Sequence, residues 1–150
     1  MKKTILIFSL IAFALSVQAQ RNYQMPPQNV QDAYRNDYPE SEHPNWHMVN
    51  GQWRADFRDR GPEDRGEMQA FYDRDGRRID AHIPYDIQDV PQPVLDRHRV
   101  IYQNGRVIGV TQIVAPDAHA VFQIRFRDGR RFRRAYYDQD GHDTHFEDRH

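Results

Sequence analysis

The stretch Phe126-Arg-Asp-Gly-Arg-Arg-Phe-Arg-Arg-Ala-Tyr-Tyr-Asp-Gln-Asp-Gly141 decides how this chain folds. It reads as a strand, a tight turn at Asp128 and Gly129, a second strand, and a second tight turn at Asp140 and Gly141. Asp-Gly between β-rich runs signals a hairpin, because both central residues of a type I′ turn need φ > 0. The stretch has an echo earlier in the chain: Phe57-Arg-Asp, a longer loop, then Ala70-Phe-Tyr-Asp-Arg-Asp-Gly76. The pattern aromatic-Tyr-Asp-x-Asp-Gly thus occurs at 71–76 and again at 136–141.

Each hairpin is preceded by a helix signal. Pro27-Gln-Asn-Val-Gln-Asp-Ala-Tyr-Arg-Asn-Asp-Tyr38 aligns with Pro91-Gln-Pro-Val-Leu-Asp-Arg-His-Arg-Val-Ile-Tyr102 at a constant offset of 64, and the hairpins align at 65. Proline is tolerated in a first helical turn, and Val30, Ala33, Tyr34 and Tyr38 fall at helical spacing before Pro39 ends the run. Two units of this length, one helix and then strands in each, constitute an internal repeat.

Period-2 alternation predicts the strands. In the first unit they run over 46–49, 52–59, 68–72 and 78–83, with a turn at Asn50 and Gly51. In the second they run over 107–114, from about 122 to the Asp128 turn, 132–137 and 142–146. The fold class is therefore α+β: two tandem α-β-β-β-β repeats, over about 27–83 and 91–147, forming an antiparallel sheet with both helices packed on one face. A unit of about 65 residues buries too little apolar surface to be safe alone, so residues 27–150 read as a single domain. Residues 84–93 connect the two units.

The N-terminus reads as an export signal over residues 1–20. Lys2 and Lys3 precede an apolar run from Ile5 to Val17, and Val17-Gln-Ala19 supplies small residues for cleavage. Residues 21–26 form a polar, proline-bearing leader, and no stable membrane anchor is expected. The chain has no cysteine, so it carries neither disulfide nor lipidated thiol. Cleavage removes both lysines, leaving 19 arginines against 22 acidic groups, a net charge of −3. That balance excludes a general nucleic-acid binder, which needs a basic excess.

A helix with Val-x-x-Ala-Tyr-x-x-x-Tyr-Pro from Val30 to Pro39, Trp46 at the first strand, Gly51-Gln-Trp-Arg-Ala-Asp-Phe57, and Phe71-Tyr-Asp-x-Asp-Gly-Arg77 follow in order. Together with a leader ending in Gln-Ala-Gln, they resemble the PepSY-like, beta-lactamase-inhibitor-like secreted proteins of Bacteroidetes. The resemblance covers nearly all of the mature chain. It departs at the longer loop 60–66, and at Val110, which stands where the first unit has Trp46. It implies an exported binding or inhibitory module with no established enzymatic activity; no partner-contacting residue carries over.

The residues lead the same way. There is no Gly-x-Ser-x-Gly, His-Glu-x-x-His or phosphate loop, and Ser41 is the only serine of the mature chain. No carboxylate pair is singled out for glycoside hydrolysis. Neither an enzyme nor a cofactor is expected. Asp73-x-Asp75-Gly76 and its counterpart mimic the start of a calcium loop, but position twelve from Asp73 is Pro84 rather than glutamate, so these are turns.

Two candidate sites remain. Alternation places Trp53, Phe57, Phe122 and Phe126 toward the helices, and Arg54, Arg58, Arg125 and Arg127 on the opposite, open face. Gln123 alternates onto that face as well, joined by Arg133 or Arg134 according to register and with Tyr136 or Tyr137 nearby; Arg133 and Tyr136 are taken as the site residues. Arginine and tyrosine suit protein interfaces, so the first reading is a docking surface for an acidic envelope or secreted protein. Its alternative is a solvated face whose arginines pair with Asp56, Asp59 and Asp128. The second site is His142, Asp143 and His145 near the C-terminus, which would make a metal-ion or small-ligand sensor.

Overall fold

The computed structural model describes residues 25–58 and 66–145. The export signal expected over 1–20, most of the leader, the greater part of the loop 60–66, Asp59 and Phe146 lie outside the described residues. Helix α1 spans Gln28–Asp37 and is followed by β1 (Asn45–Val49), β2 (Gln52–Arg58), β3 (Glu67–Tyr72) and β4 (Arg78–Tyr85). After a 3-10 turn at Ile87–Asp89 come α2 (Gln92–Ile101), β5 (Arg106–Val114), β6 (Ala120–Asp128) and β7 (Arg131–Tyr137). The strands form one seven-stranded antiparallel sheet in chain order, β1 to β7.

Register places both helices on the same face. Ile83 of β4 packs with α1 residues Val30 and Tyr34, while its strand neighbour Tyr85 packs with α2 residue Val94. Residues two apart on a strand share a face, so the two apolar clusters lie side by side on one side of the sheet. Val114 of β5 also packs against the first cluster and joins the halves.

The same ring contacts recur in both clusters. Phe57 meets Tyr34 edge-on at 5.1 Å and Tyr38 at 4.5 Å; Phe126 meets His98 edge-on at 4.7 Å and Tyr102 at 4.4 Å. Trp46 stands opposite Ala55, whereas Val110 stands opposite Ile124. A large-small pair in one half thus becomes two medium residues in the other, which conserves volume as close packing requires.

The Asp-Gly turns dock on the helix starts. Gly76 and Gly141 each adopt φ +82°, and a Cβ there would lie 2.9 Å from the Asn29 carbonyl oxygen or 2.5 Å from that of Pro93. Only glycine permits both the backbone conformation and the approach. Asp73 Oδ1 accepts from the Asp75 and Arg77 amides, and Asp138 Oδ1 accepts from those of Asp140 and His142. Asp75 and Asp140 have negative φ, so these are aspartate-closed loops ending in a left-handed glycine, not the type I′ turns expected. Positive φ at both central residues occurs at Asn50 and Gly51.

Two further expectations are corrected. The β6–β7 turn is centred on Gly129 and Arg130, because Asp128 pairs with Arg131 across it. A fourth strand over 142–146 does not form among the described residues. A single bridge joins Tyr137 to Asp143, and the Asp143 carboxylate is drawn to Arg97 on α2. β4 is held by ladders on both sides, whereas this segment has β7 alone as a neighbour.

Phe126 is fully buried between β6 and α2. Phe126→Ala should therefore cost about 3–5 kcal/mol in urea or thermal unfolding. A loss below about 1 kcal/mol would place the ring outside the core.

His98 is 2 % exposed; its Nδ1 lies 3.2 Å from the Tyr137 hydroxyl, and Nε2 meets no hydrogen-bond partner among the described residues. Burial holds this imidazole below its ordinary value of 6.5. The unfolded chain then binds the proton first, so stability is complete above about pH 6.5 and falls as the pH drops toward the lowered folded value. The loss is at most about 1.4 kcal/mol per pH unit for one group. His98→Phe should flatten this slope between pH 6.5 and 5, read from paired thermal melts.

Candidate protein-binding face

The face away from the helices is built from the alternate residues of the same strands. Ladder pairs run Arg54 to Phe71 to Asp80, then Asp56 to Gln69 to His82 to Ile113. Further along, Pro84 pairs with Thr111, Thr111 with Gln123, and Gln123 with Tyr136. The next row is Gly109, Arg125 and Arg134.

This face is partly buried in itself. Phe71, Ile113, Asp80 and Gln123 are each buried, although no helix covers them. The twist of the sheet leaves a cavity of about 480 Å³, floored by Phe71, His82 and Thr111. Arg54, Glu67 and Gln69 wall it on the first half; Gln123, Arg125 and Arg134 wall it on the second.

Its charges are unevenly arranged. On β1 to β4 the basic side chains have acidic neighbours: Arg54 Nη2 lies 2.9 Å from Asp56 Oδ2, His47 Nε2 3.2 Å from the same oxygen, and His82 Nε2 3.4 Å from Asp80 Oδ1. Arg54 Nε and Asp56 Oδ1 are buried without a hydrogen-bond partner among the described residues. On β5 to β7 the open-face positions include Arg106, Arg125, Arg127 and Arg134 but no aspartate or glutamate.

The expected site residues divide accordingly. Arg54 and Arg125 wall the cavity, and Tyr136 adjoins it, accepting a hydrogen bond from the Gln123 amide at 3.1 Å. Arg58 is on this face at the end of β2, opposite Glu67. Arg127 folds onto its own turn, its Nε donating to the Gly129 carbonyl at 2.9 Å. Arg133 is a correction: it pairs with Phe126, faces the helix side, and sits 3.5 Å from Asp128. Arg133 and Tyr136 are three apart and cannot share a strand face. Arg134 takes the open position, so of the expected acidic partners Asp56 serves Arg54, while Asp128 serves the other side.

His142, Asp143 and His145 are not brought together. His142 Nδ1 lies 3.1 Å from Asp138 Oδ2, and Asp143 pairs with Arg97. Among the described residues the grouping with ligand spacing is Asp138, Asp140 and His142, whose Asp138 already closes the turn. The sequence reading missed Gln69, His82 and Thr111, whereas it had Gln123 on this face and Arg134 as the alternative to Arg133. Strict alternation from Ala70, Ile83 and Val110 would have placed all three on the open face.

No family model matches the sequence, and no curated protein matches it. Solved structures do match the fold. A DUF2874 family protein from Bacteroides ovatus superposes with TM-score 0.71 at 19% identity, over 81% of this chain and 86% of that one. A BLIP-like protein from Bacteroides fragilis gives 0.71 at 22%, over 83% and 86%. A candidate periplasmic protein from Bacteroides eggerthii gives 0.72 at 17%, over 81% and 88%. This chain shares their α+β fold; none of the three carries the PepSY designation. Among the described residues no helix is long and apolar enough to cross a membrane.

Proposed function

We propose that the protein is an exported, non-enzymatic binding module that docks an envelope or secreted protein on the open face of its sheet. The observation that carries this reading is the cavity of about 480 Å³ on the face that neither helix covers. A merely solvated face would expose its side chains, whereas here Phe71, Ile113, Asp80 and Gln123 are withdrawn from water. Phe71 and Gln123 line a depression together with Arg54, Arg125 and Arg134, and Tyr136 bonds to Gln123 beside it; arginine and tyrosine bring wide contact area and directed hydrogen bonds to interfaces.

The fold likeness to a BLIP-like protein and to a candidate periplasmic protein supports a periplasmic binding role, as does the signal-like start of the chain. We further infer that the chain is two copies of one unit. The offsets of 64 and 65, the recurring ring contacts and the matching turn-on-helix docking of Gly76 and Gly141 support the duplication.

Export predicts a mature N-terminus at Gln20 or Arg21; mass spectrometry showing an intact Met1 on the exported protein would refute it. Docking is tested by capturing envelope proteins on the mature chain, identifying the partner, and repeating with the charge-reversed double variant R125E/R127E. Capture of that partner should be lost while unfolding stability stays within about 1 kcal/mol, as for exposed positions. Undiminished capture would remove this face as the docking surface.

A further inference from the structure

We propose that Asn50 is a site of spontaneous covalent modification: its side-chain amide is lost through cyclisation onto Gly51, and the isoaspartate left behind releases β1 from the sheet. The inference stands apart from the docking reading and needs no partner.

The chemistry requires only water. The deprotonated Gly51 amide nitrogen attacks Asn50 Cγ. The N–Cγ bond forms, the bond from Cγ to the side-chain nitrogen breaks, and that nitrogen leaves as ammonia with a proton from water. Water then opens the cyclic imide. Opening at the main-chain carbonyl of residue 50 gives isoaspartate, and opening at the side-chain carbonyl gives aspartate. Glycine favours the attack because it puts no side chain beside the attacking nitrogen.

The sequence holds two Asn-Gly pairs, Asn50-Gly51 and Asn104-Gly105, and the fold treats them oppositely. Attack needs a glycine N–H free of hydrogen bonding and an asparagine able to rotate about its backbone. The Gly105 N–H donates to the Tyr102 carbonyl at 2.8 Å, and a Cβ on Gly105 would lie 2.9 Å from the buried Phe126 ring. Asn104 is thereby pinned between α2 and β5. The amides of Gly76 and Gly141 are engaged in the same way, donating to the Asp73 and Asp138 carbonyls. The Gly51 N–H meets no hydrogen-bond partner among the described residues, and Asn50 and Gly51 are both exposed. Their turn ends β1, an edge strand held by β2 alone, where local opening costs least.

The product matters because of what the turn sets. Val49 pairs with Gln52, so Asn50 and Gly51 are the whole of the loop. Isoaspartate routes the main chain through the former side chain and lengthens by one carbon a loop whose length fixes the register. β1 has no second neighbour to hold that register, and Trp46 is its one buried residue. The strand then loosens and uncovers Trp46.

The test ages the mature protein in mildly alkaline buffer, folded and in urea, and follows both asparagines by peptide mapping with mass spectrometry. In the folded protein Asn50 should convert about tenfold or more faster than Asn104, whereas in urea the two should differ by less than about threefold. Conversion should quicken as the pH rises, because the deprotonated amide is the nucleophile. An isoaspartyl methyltransferase should label the Asn50 peptide. The isoaspartyl fraction should lose hydrogen-exchange protection at the β1 amides while β5 to β7 keep theirs. Asn50→Asp, which carries the same new charge on an unaltered backbone, should keep β1 protected. No conversion of Asn50, or conversion of Asn104 as fast as Asn50 in the folded protein, overturns the site. An isoaspartyl form with β1 still protected, or an equal loss of protection in Asn50→Asp, overturns the release of the strand by the altered backbone.

Discussion

Two ten-residue helices must cover a seven-stranded sheet, and that constraint decides the rest of the structure. A helix of that length is about 15 Å long, enough to shelter a few strands on one side. Both helices go to the same face, where Phe57 and Phe126 each lie under a pair of helix rings. The other face must then be hydrated or form its own shelter. Strand alternation turns this into chemistry: on β2 and β6 the residue after each buried ring, Arg54, Arg58, Gln123 or Arg127, is delivered to the uncovered side.

The helices are located by the turns as much as by their apolar faces. Gly76 meets the backbone of Asn29, and Gly141 meets that of Pro93, at the start of each helix. Neither helix has a side-chain cap at its N-terminus. Packing of a turn against backbone therefore supplies the positional constraint at that end. At the other end of α1, Asp37 accepts a hydrogen bond from the Tyr72 hydroxyl and lies 4.0 Å from Arg78. Each helix is thereby tied to the hairpin of its own half.

How much of this was legible in the sequence depends on whether local patterning or register decides it. Both helices, seven strands and the burial of Trp53, Phe57, Phe122 and Phe126 follow from periodicity, because those rings alternate strictly with polar residues. The eighth strand was not legible, since its failure depends on a sheet edge with one neighbour and on Asp143 reaching Arg97. The choice between Arg133 and Arg134 was not legible for a related reason. A two-residue turn at Gly129 and Arg130 pairs odd-numbered residues of β6 with even-numbered ones of β7, which sends Arg134 and not Arg133 to the face of Arg125. The bulges at Phe71 and Tyr72, and at Val107 and Gly109, shift register in ways the pattern does not announce. They decide that Arg78 faces α1 and that Arg106 joins the arginines of the open face.

The acidic side chains of the open face lie on β1 to β4, whereas β5 to β7 contribute Arg106, Arg125, Arg127 and Arg134 to that face. On β1 to β4, Asp56 pairs with Arg54 and Asp80 lies beside His82 in positions shielded from water, where an unpaired charge would cost several kcal/mol. On β5 to β7 the arginines remain accessible to solvent, so repulsion between them is screened and the fold tolerates it. Screening ends where a partner excludes water. In the proposed docking role the same arginines would lose hydration, which favours a partner that brings acidic groups. The selectivity of the proposed docking face would then follow from this uneven placement of acidic and basic groups between the two halves of the sheet.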